Sequence, residues 1–236
     1  MGKQRIIVAL DVDAAEKAVA LVELLTDEVG AFKVGLELVN SAGLGIFDRI
    51  RQAGGARIFY DAKLHDIPNT VAGASRAATR LGVWMFNVHC SGGLAMMKAA
   101  REAAAQESSR LGVEPPKVIG VTVLTSIDQQ ALSDEMRVGG TVAEMVVHLA
   151  KLARDAGLDG VVASPHEIEL IRAACGSGFL IVTPGVRPAG GDIGDQKRVM
   201  TPKEALAKGA DFLVLGRPIT RADDPRAAAR AIAAEL

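Results

Sequence analysis

The stretch Arg57-Ile58-Phe59-Tyr60-Asp61-Ala62-Lys63-Leu64-His65-Asp66-Ile67-Pro68-Asn69-Thr70 runs from an apolar β-type segment, through a cluster of charges, into the start of a helix. Side chains at i and i+2 of a strand point the same way, so Asp61 and Lys63 are expected on one face at the strand's carboxyl end. Asp66 follows three residues later, on the turn. Pro68 suits the start of a helix, and Thr70 falls in its first turn. Two carboxylates flanking an ammonium are costly to hold in a protected pocket unless they pair. The cluster is therefore a solvated loop, a structural ion-pair network, or a site in which fixed charge performs the chemistry.

Working outward, the same strand-then-helix unit recurs along the chain. Candidate strands span 5–10, 31–36, 57–61, 84–89, 117–123, 159–163, 179–183 and 211–215. Helical patterns lie near 14–28, 40–53, 68–81, 92–107, 140–156, 166–174, 202–208 and 224–235. Eight strands, each followed by a helix, predict a (β/α)8 TIM barrel, here a single domain over 1–236. An open doubly wound sheet is the alternative. It more often carries a G-x-G-x-x-G turn after the first strand, and Leu10-Asp11-Val12-Asp13 has none. Two connections are long, 123–139 and 184–201, and the second is rich in Pro and Gly, which fits a functional loop.

Composition agrees with a barrel. The 236 residues are 49% hydrophobic and only 3% aromatic, so the core is aliphatic, as suits parallel strands buried on both faces. A net charge of −1 gives no broad attraction to nucleic acid or to acidic lipid, so any anion site is local. Cys90 and Cys175 lack metal-ligand spacing and read as reduced thiols. Met1-Gly2-Lys3-Gln4-Arg5 leads straight into Ile6-Ile7-Val8-Ala9-Leu10 without a signal-peptide pattern, and no apolar run approaches the ~20 residues that span a bilayer. A cytoplasmic protein is expected.

In a packed barrel, polar residues at the carboxyl ends of strands belong to the mouth. The first run ends at Asp11, the second holds Lys33 in Phe32-Lys33-Val34-Gly35, and the third ends in Asp61 and Lys63. The fourth ends with Asn87 and His89, Thr125 and Ser126 follow the fifth, and Thr183 ends the seventh. A lysine amid apolar neighbours must reach water or meet an anion, which makes Lys33 a strong candidate. Neighbouring strands are about 4.8 Å apart, so Asp11, Lys33, Asp61 and Lys63 can converge as an alternating array. After the last strand, Gly216 lets backbone approach an oxyanion and Arg217 can grip it, with Arg187 and Gln196 of the long loop closing over it. Phosphate is the expected anion, and a plain surface turn is the other reading of Gly-Arg-Pro. A metal held by Asp61, His65, Asp66 and His89 is disfavoured, because Lys33 and Lys63 would repel it at short range.

The string Asp61-Ala62-Lys63-Leu64-His65-Asp66-Ile67-Pro68-Asn69-Thr70 resembles the signature of the orotidine 5′-monophosphate decarboxylases of bacterial type. The resemblance extends over essentially the whole chain. It takes in Leu10-Asp11-Val12-Asp13, Phe32-Lys33-Val34-Gly35, Val123-Leu124-Thr125-Ser126, Thr183-Pro184-Gly185-Val186-Arg187, Gln196 and Leu215-Gly216-Arg217, with no departure at a motif position. It implies a barrel homodimer whose two sites are each completed by the partner's Asp66 and the partner's Thr70. It also implies no metal and no organic cofactor, and conversion of orotidine 5′-monophosphate to UMP and CO2. By the same resemblance Lys63 stabilises the C6 carbanion and donates the proton, with Asp61, Asp66 and Lys33 around it. Asp11, Thr70 and Lys33 would hold the ribose, Thr125 the pyrimidine edge, and Arg187, Gln196, Gly216 and Arg217 the phosphate. Two other readings stay open: a magnesium-dependent hexulose-phosphate synthase or keto-gulonate-phosphate decarboxylase relative, which carries a glutamate where Lys33 stands here, and a non-catalytic nucleotide-binding barrel.

Overall fold

In a computed structural model, described over residues 2–188 and 200–236, the apolar runs form eight strands. These are Ile6–Ala9 (β1), Ala31–Val34 (β2), Ile58–Leu64 (β3), Met85–His89 (β4), Lys117–Val121 (β5), Gly160–Val162 (β6), Leu180–Pro184 (β7) and Phe212–Leu215 (β8). They pair in parallel in chain order, and β8 returns to β1 to close the barrel. The expected (β/α)8 architecture is the one observed.

Strand parity builds two apolar layers. Ile7, Ala9, Ala31, Phe59, Met85, Ile119, Val182 and Val214 pack together inside the barrel. Their strand neighbours, such as Ile6, Val8, Phe32, Val34, Ile58 and Phe86, pack outward beneath the helices. Side chains of that size each contribute about 1.5–3 kcal/mol on burial. At the amino-terminal end the barrel is stoppered by Trp84 and Phe212, edge to face at 5.1 Å, with the Arg57 guanidinium 3.8 Å from the Trp84 ring centre.

The outer helices are Ala15–Leu25 (α1), Leu36–Ala42 (α2), Ile46–Gln52 (α3), Pro68–Arg80 (α4), Gly93–Leu111 (α5), Val142–Asp155 (α6), Ile168–Cys175 (α7), Pro202–Ala207 (α8), Arg217–Thr220 (α9) and Pro225–Ala234 (α10). Local chemistry sets their starts. Thr141 and Glu144 form a reciprocal capping box on α6, as do Thr201 and Glu204 on α8, and the Asp224 carboxylate accepts from the Ala227 N–H at the head of α10. The single helix expected over 40–53 is two, because Gly43 ends α2 with φ of +71°. The plain surface turn, the other reading of Gly216-Arg217-Pro218, is not what forms there, since Gly216 precedes the short helix α9. The 123–139 connection carries a π-helical turn, Ala131–Glu135. Among the described residues no helix is long and apolar enough to cross a membrane.

Candidate active site

The parity that fills the barrel also builds its mouth. Ala9, Ala31, Phe59 and Met85 point inward in the apolar layer. Two residues further along the same inward faces come Asp11, Lys33, Asp61 and Asn87. Charge therefore begins where the aliphatic plug stops.

Asp61 is the centre of the array. Its Oδ1 accepts from the Lys63 ammonium at 2.6 Å and from the Asn87 amide at 2.7 Å, and its Oδ2 lies 3.3 Å from the Lys33 ammonium. Lys33 in turn donates to Asp11 at 2.8 Å. The side chains of Lys33, Asp61, Lys63 and Asp11 are 9%, 13%, 31% and 56% exposed, so the array runs from a protected floor to a wet rim. Gly35 gives Lys33 its space, since a Cβ there would stand 2.9 Å from Nζ.

Asp61 and Lys63 do meet, but not through plain strand alternation. Tyr60 pairs with Phe86 and Leu64 with Val88, so residues 61–63 of β3 stand opposite Asn87 alone. This bulge carries β3 beyond its expected end at 61 to Leu64, and Lys63 takes a φ of +48°. Left-handed backbone costs a residue with a Cβ roughly 1–2 kcal/mol. Asn87 was noted in the sequence only as a polar residue ending the fourth run. The signal that could have raised it was a buried amide on the inward parity of an apolar strand.

The electrostatics of the floor favour the charged forms of Asp61 and Lys33. Burial pushes the Asp61 carboxyl up, but Lys33 and Lys63 outweigh it and hold Asp61 below the usual carboxylate range. Burial pulls the Lys33 ammonium down, but Asp61 and Asp11 outweigh it and hold Lys33 above the ordinary lysine value. His89 goes the other way. Burial, and then the neighbouring His65 and Lys63, lower its pKa against the pull of Asp61. Its ring centre lies 5.3 Å from that of His65. Among the described residues no three His, Cys, Asp or Glu side chains are grouped to hold a metal ion.

Two cavities open from the array and share Lys33, Asp61, Pro184 and Val214. One, of about 200 Å³, is mainly apolar, with Phe59, Val121, Val162, Thr125 and Lys63 among its lining residues. The other, of about 430 Å³, has Asp11 and Gly216 together with the guanidinium-bearing Arg187, Arg217 and Arg221. Together they give the site an apolar end and a cationic end, joined across Lys33 and Asp61. Glu37 and Arg221 in the cationic end were not anticipated from the sequence.

Of the expected site residues, the structure brings together Lys33, Asp61, Lys63 and Thr125 at one cavity and Asp11, Arg187, Gly216 and Arg217 at the other. Gln196 lies outside the described residues. Asp66 and Thr70 are exposed and border neither cavity. The Asp66 carboxylate accepts from the Ile67 N–H at 2.6 Å and makes no ion pair with a described residue.

The chain and its fold have known counterparts. Residues 4–232 match the model of the orotidine 5′-phosphate decarboxylase / HUMPS family. The chain is 58% identical over 235 residues to the orotidine 5′-phosphate decarboxylase of Moorella thermoacetica, covering 100% of this chain and 93% of that protein. It is 53% identical over 236 residues to the enzyme of the same name from Syntrophomonas wolfei, covering 100% and 98%. Among solved structures, the orotidine 5′-phosphate decarboxylase of Lactobacillus acidophilus superposes with a TM-score of 0.85 at 40% identity, over 98% of this chain and 97% of that one. A barrel with a Lys-Asp-Lys floor, matched end to end at these identities, belongs to the orotidine 5′-phosphate decarboxylase / HUMPS family.

Proposed function

We propose that the chain decarboxylates orotidine 5′-monophosphate to UMP and CO2, a step of pyrimidine biosynthesis, and that it does so without a metal or organic cofactor. The observation that carries this reading is the partly buried Asp61 held between the Lys33 and Lys63 ammoniums at the junction of the two cavities. The pyrimidine is assigned to the apolar end, with Thr125 at its edge, and the phosphate to the end bearing Arg187, Gly216 and Arg217. Asp11 and Lys33 then stand level with the ribose.

In the reaction the C6–carboxylate bond breaks, the electron pair stays on C6 in the ring plane, and CO2 leaves. That pair has no simple π system to enter, so its stabilisation comes from a cation already in place. Lys63 supplies the cation, then a proton to C6, and is reprotonated from water. Asp61 fixes the ammonium at 2.6 Å and crowds the substrate carboxylate. The phosphate end contributes binding energy remote from the bond that breaks. The magnesium-dependent reading is not favoured, because β2 presents the Lys33 ammonium where those relatives carry a glutamate.

The site is shared in a homodimer, on this proposal, with the partner's Asp66 and the partner's Thr70 completing it. In support, both residues are exposed on the single chain, and the Asp66 carboxylate is not paired with Lys63. The deciding assay is loss of orotidine monophosphate absorbance on adding chelator-treated protein. No turnover, or turnover that returns only with Mg²⁺, overturns the reading. Lys63→Ala is expected to abolish turnover while UMP still binds, and a substantial residual kcat would remove Lys63 as proton donor. Inactive Lys63→Ala and Asp66→Ala chains, mixed under demonstrated subunit exchange, should regain activity. If none returns, the two residues act within one chain.

A further inference from the structure

Asn87 is fully buried in β4, opposite the bulge of β3, and spans the two residues that carry the charge. Its Oδ1 accepts from the Lys63 backbone N–H at 2.7 Å, and its Nδ2 donates to Asp61 Oδ1 at 2.7 Å. The chemistry fixes the amide's orientation. A backbone N–H can only donate and an ionised carboxylate can only accept, so the reversed amide would lose both bonds. The bulge lifts the Lys63 N–H off the regular ladder, and a buried N–H without an acceptor is costly. Asn87 provides that acceptor at the one residue of β3 held at positive φ.

We infer that Asn87 is a positioning residue for the decarboxylation. It holds the Lys63 backbone in its left-handed turn, which aims the ammonium inward, and it sets the rotation of the Asp61 carboxylate, so that Oδ1 faces Lys63 while Oδ2 faces Lys33. One amide thus ties the direction of the proton donor to the direction of its counter-ion. Neither cavity has Asn87 among its lining residues, so it acts through Asp61 and Lys63 rather than on substrate. The inference rests on the proposed function, and wild-type turnover of orotidine monophosphate, run in parallel, tests that reading separately.

The experiment compares wild type with Asn87→Ala and Asn87→Asp as intact proteins, measuring kcat, KM, UMP affinity by calorimetry and the pH profile. For Asn87→Ala, misaiming Lys63 by about an ångström is expected to lower kcat on the order of 10²-fold. KM and UMP affinity should stay near wild type, because the phosphate end is untouched. Asn87→Asp keeps the acceptor for the Lys63 N–H but sets a second carboxyl against Asp61. It would face Asp61 and Lys63, with Lys33 on the other oxygen of Asp61, His89 and His65 coupled electrostatically to that cluster, and Ile119 of β5 paired alongside. That carboxyl can bond to Asp61 only when protonated, so its kcat should recover as pH falls, with a profile wild type does not share. Active wild type together with an Asn87→Ala of wild-type kcat overturns the inference. So does an equal loss of kcat and UMP affinity, or an Asn87→Asp whose profile parallels wild type. If Asn87→Ala does not fold, the Asn87→Asp profile decides. Failure of both variants to fold makes Asn87 a structural group of the barrel and likewise overturns it.

Discussion

Replacing Lys33 with methionine keeps the bulk of its stem and removes the charge from the floor of the site. At an effective dielectric near 20, unit charges at the 3.3 Å separation of Lys33 Nζ and Asp61 Oδ2 attract by about 5 kcal/mol. The 2.8 Å contact to Asp11 adds little, because that carboxylate is more than half exposed. Deleting Lys33 also returns the cost of burying it, and Lys63 still faces Asp61 at 2.6 Å. The expected net loss is therefore ~3 kcal/mol, the lower end for orphaning a buried charge. For a chain of 236 residues that is a fall in Tm of roughly 6–12 °C. The pH dependence has a definite sign. Asp61 has a folded pKa below the ordinary 3.8, so its contribution is present above that value and lost as pH falls through the folded one. Without Lys33 the folded pKa rises towards the ordinary value, so the share of stability that acid removes through Asp61 becomes smaller. Urea unfolding of wild type, Lys33→Met, Asp61→Asn and the double variant, at one protein concentration, gives the pair's coupling energy. A value near 2 kcal/mol is expected, and one below ~0.5 kcal/mol would refute the claim that Lys33 and Asp61 form a protected pair.

Gly35→Ala places a methyl 2.9 Å from Lys33 Nζ; with Asp11 and Asp61 restraining that ammonium, kcat/KM should fall about tenfold with little change in Tm, and unchanged kinetics would show that Lys33 yields freely. Gly160→Ala drives a Cβ into the Leu180 carbonyl oxygen across the β6–β7 ladder, and urea unfolding should show a loss of about 1–3 kcal/mol with normal kcat per folded molecule. The His89 imidazole should titrate below 6.5 by NMR. Because its folded pKa is depressed, its effect is a loss of stability as pH falls from 6.5 through the folded value, and a midpoint at or above 6.5 would contradict its half-buried setting between His65 and Lys63.

The sequence by itself determined the barrel and the chemistry of its mouth. Short aliphatic runs alternating with helical stretches have few ways to bury both faces of their strands, and closing eight parallel strands is one that leaves no edge. Once the strands are placed, their period of two fixes which side chains look inward, so Lys33 and Asp61 could be read as floor residues from Ala31 and Phe59 two positions before them. Where local conformation departs from its period, the sequence was silent. Nothing in Tyr60-Asp61-Ala62-Lys63-Leu64 announces a bulge, because a bulge is a mismatch with the neighbouring strand and exists only in the pairing. The bonds from Asn87 to Asp61 and to the Lys63 backbone depend on that mismatch, as do the positive φ of Lys63 and the side of Asp61 that each lysine meets. Tertiary structure decided these points because each concerns partners brought together across strands, at distances that no one-dimensional spacing encodes.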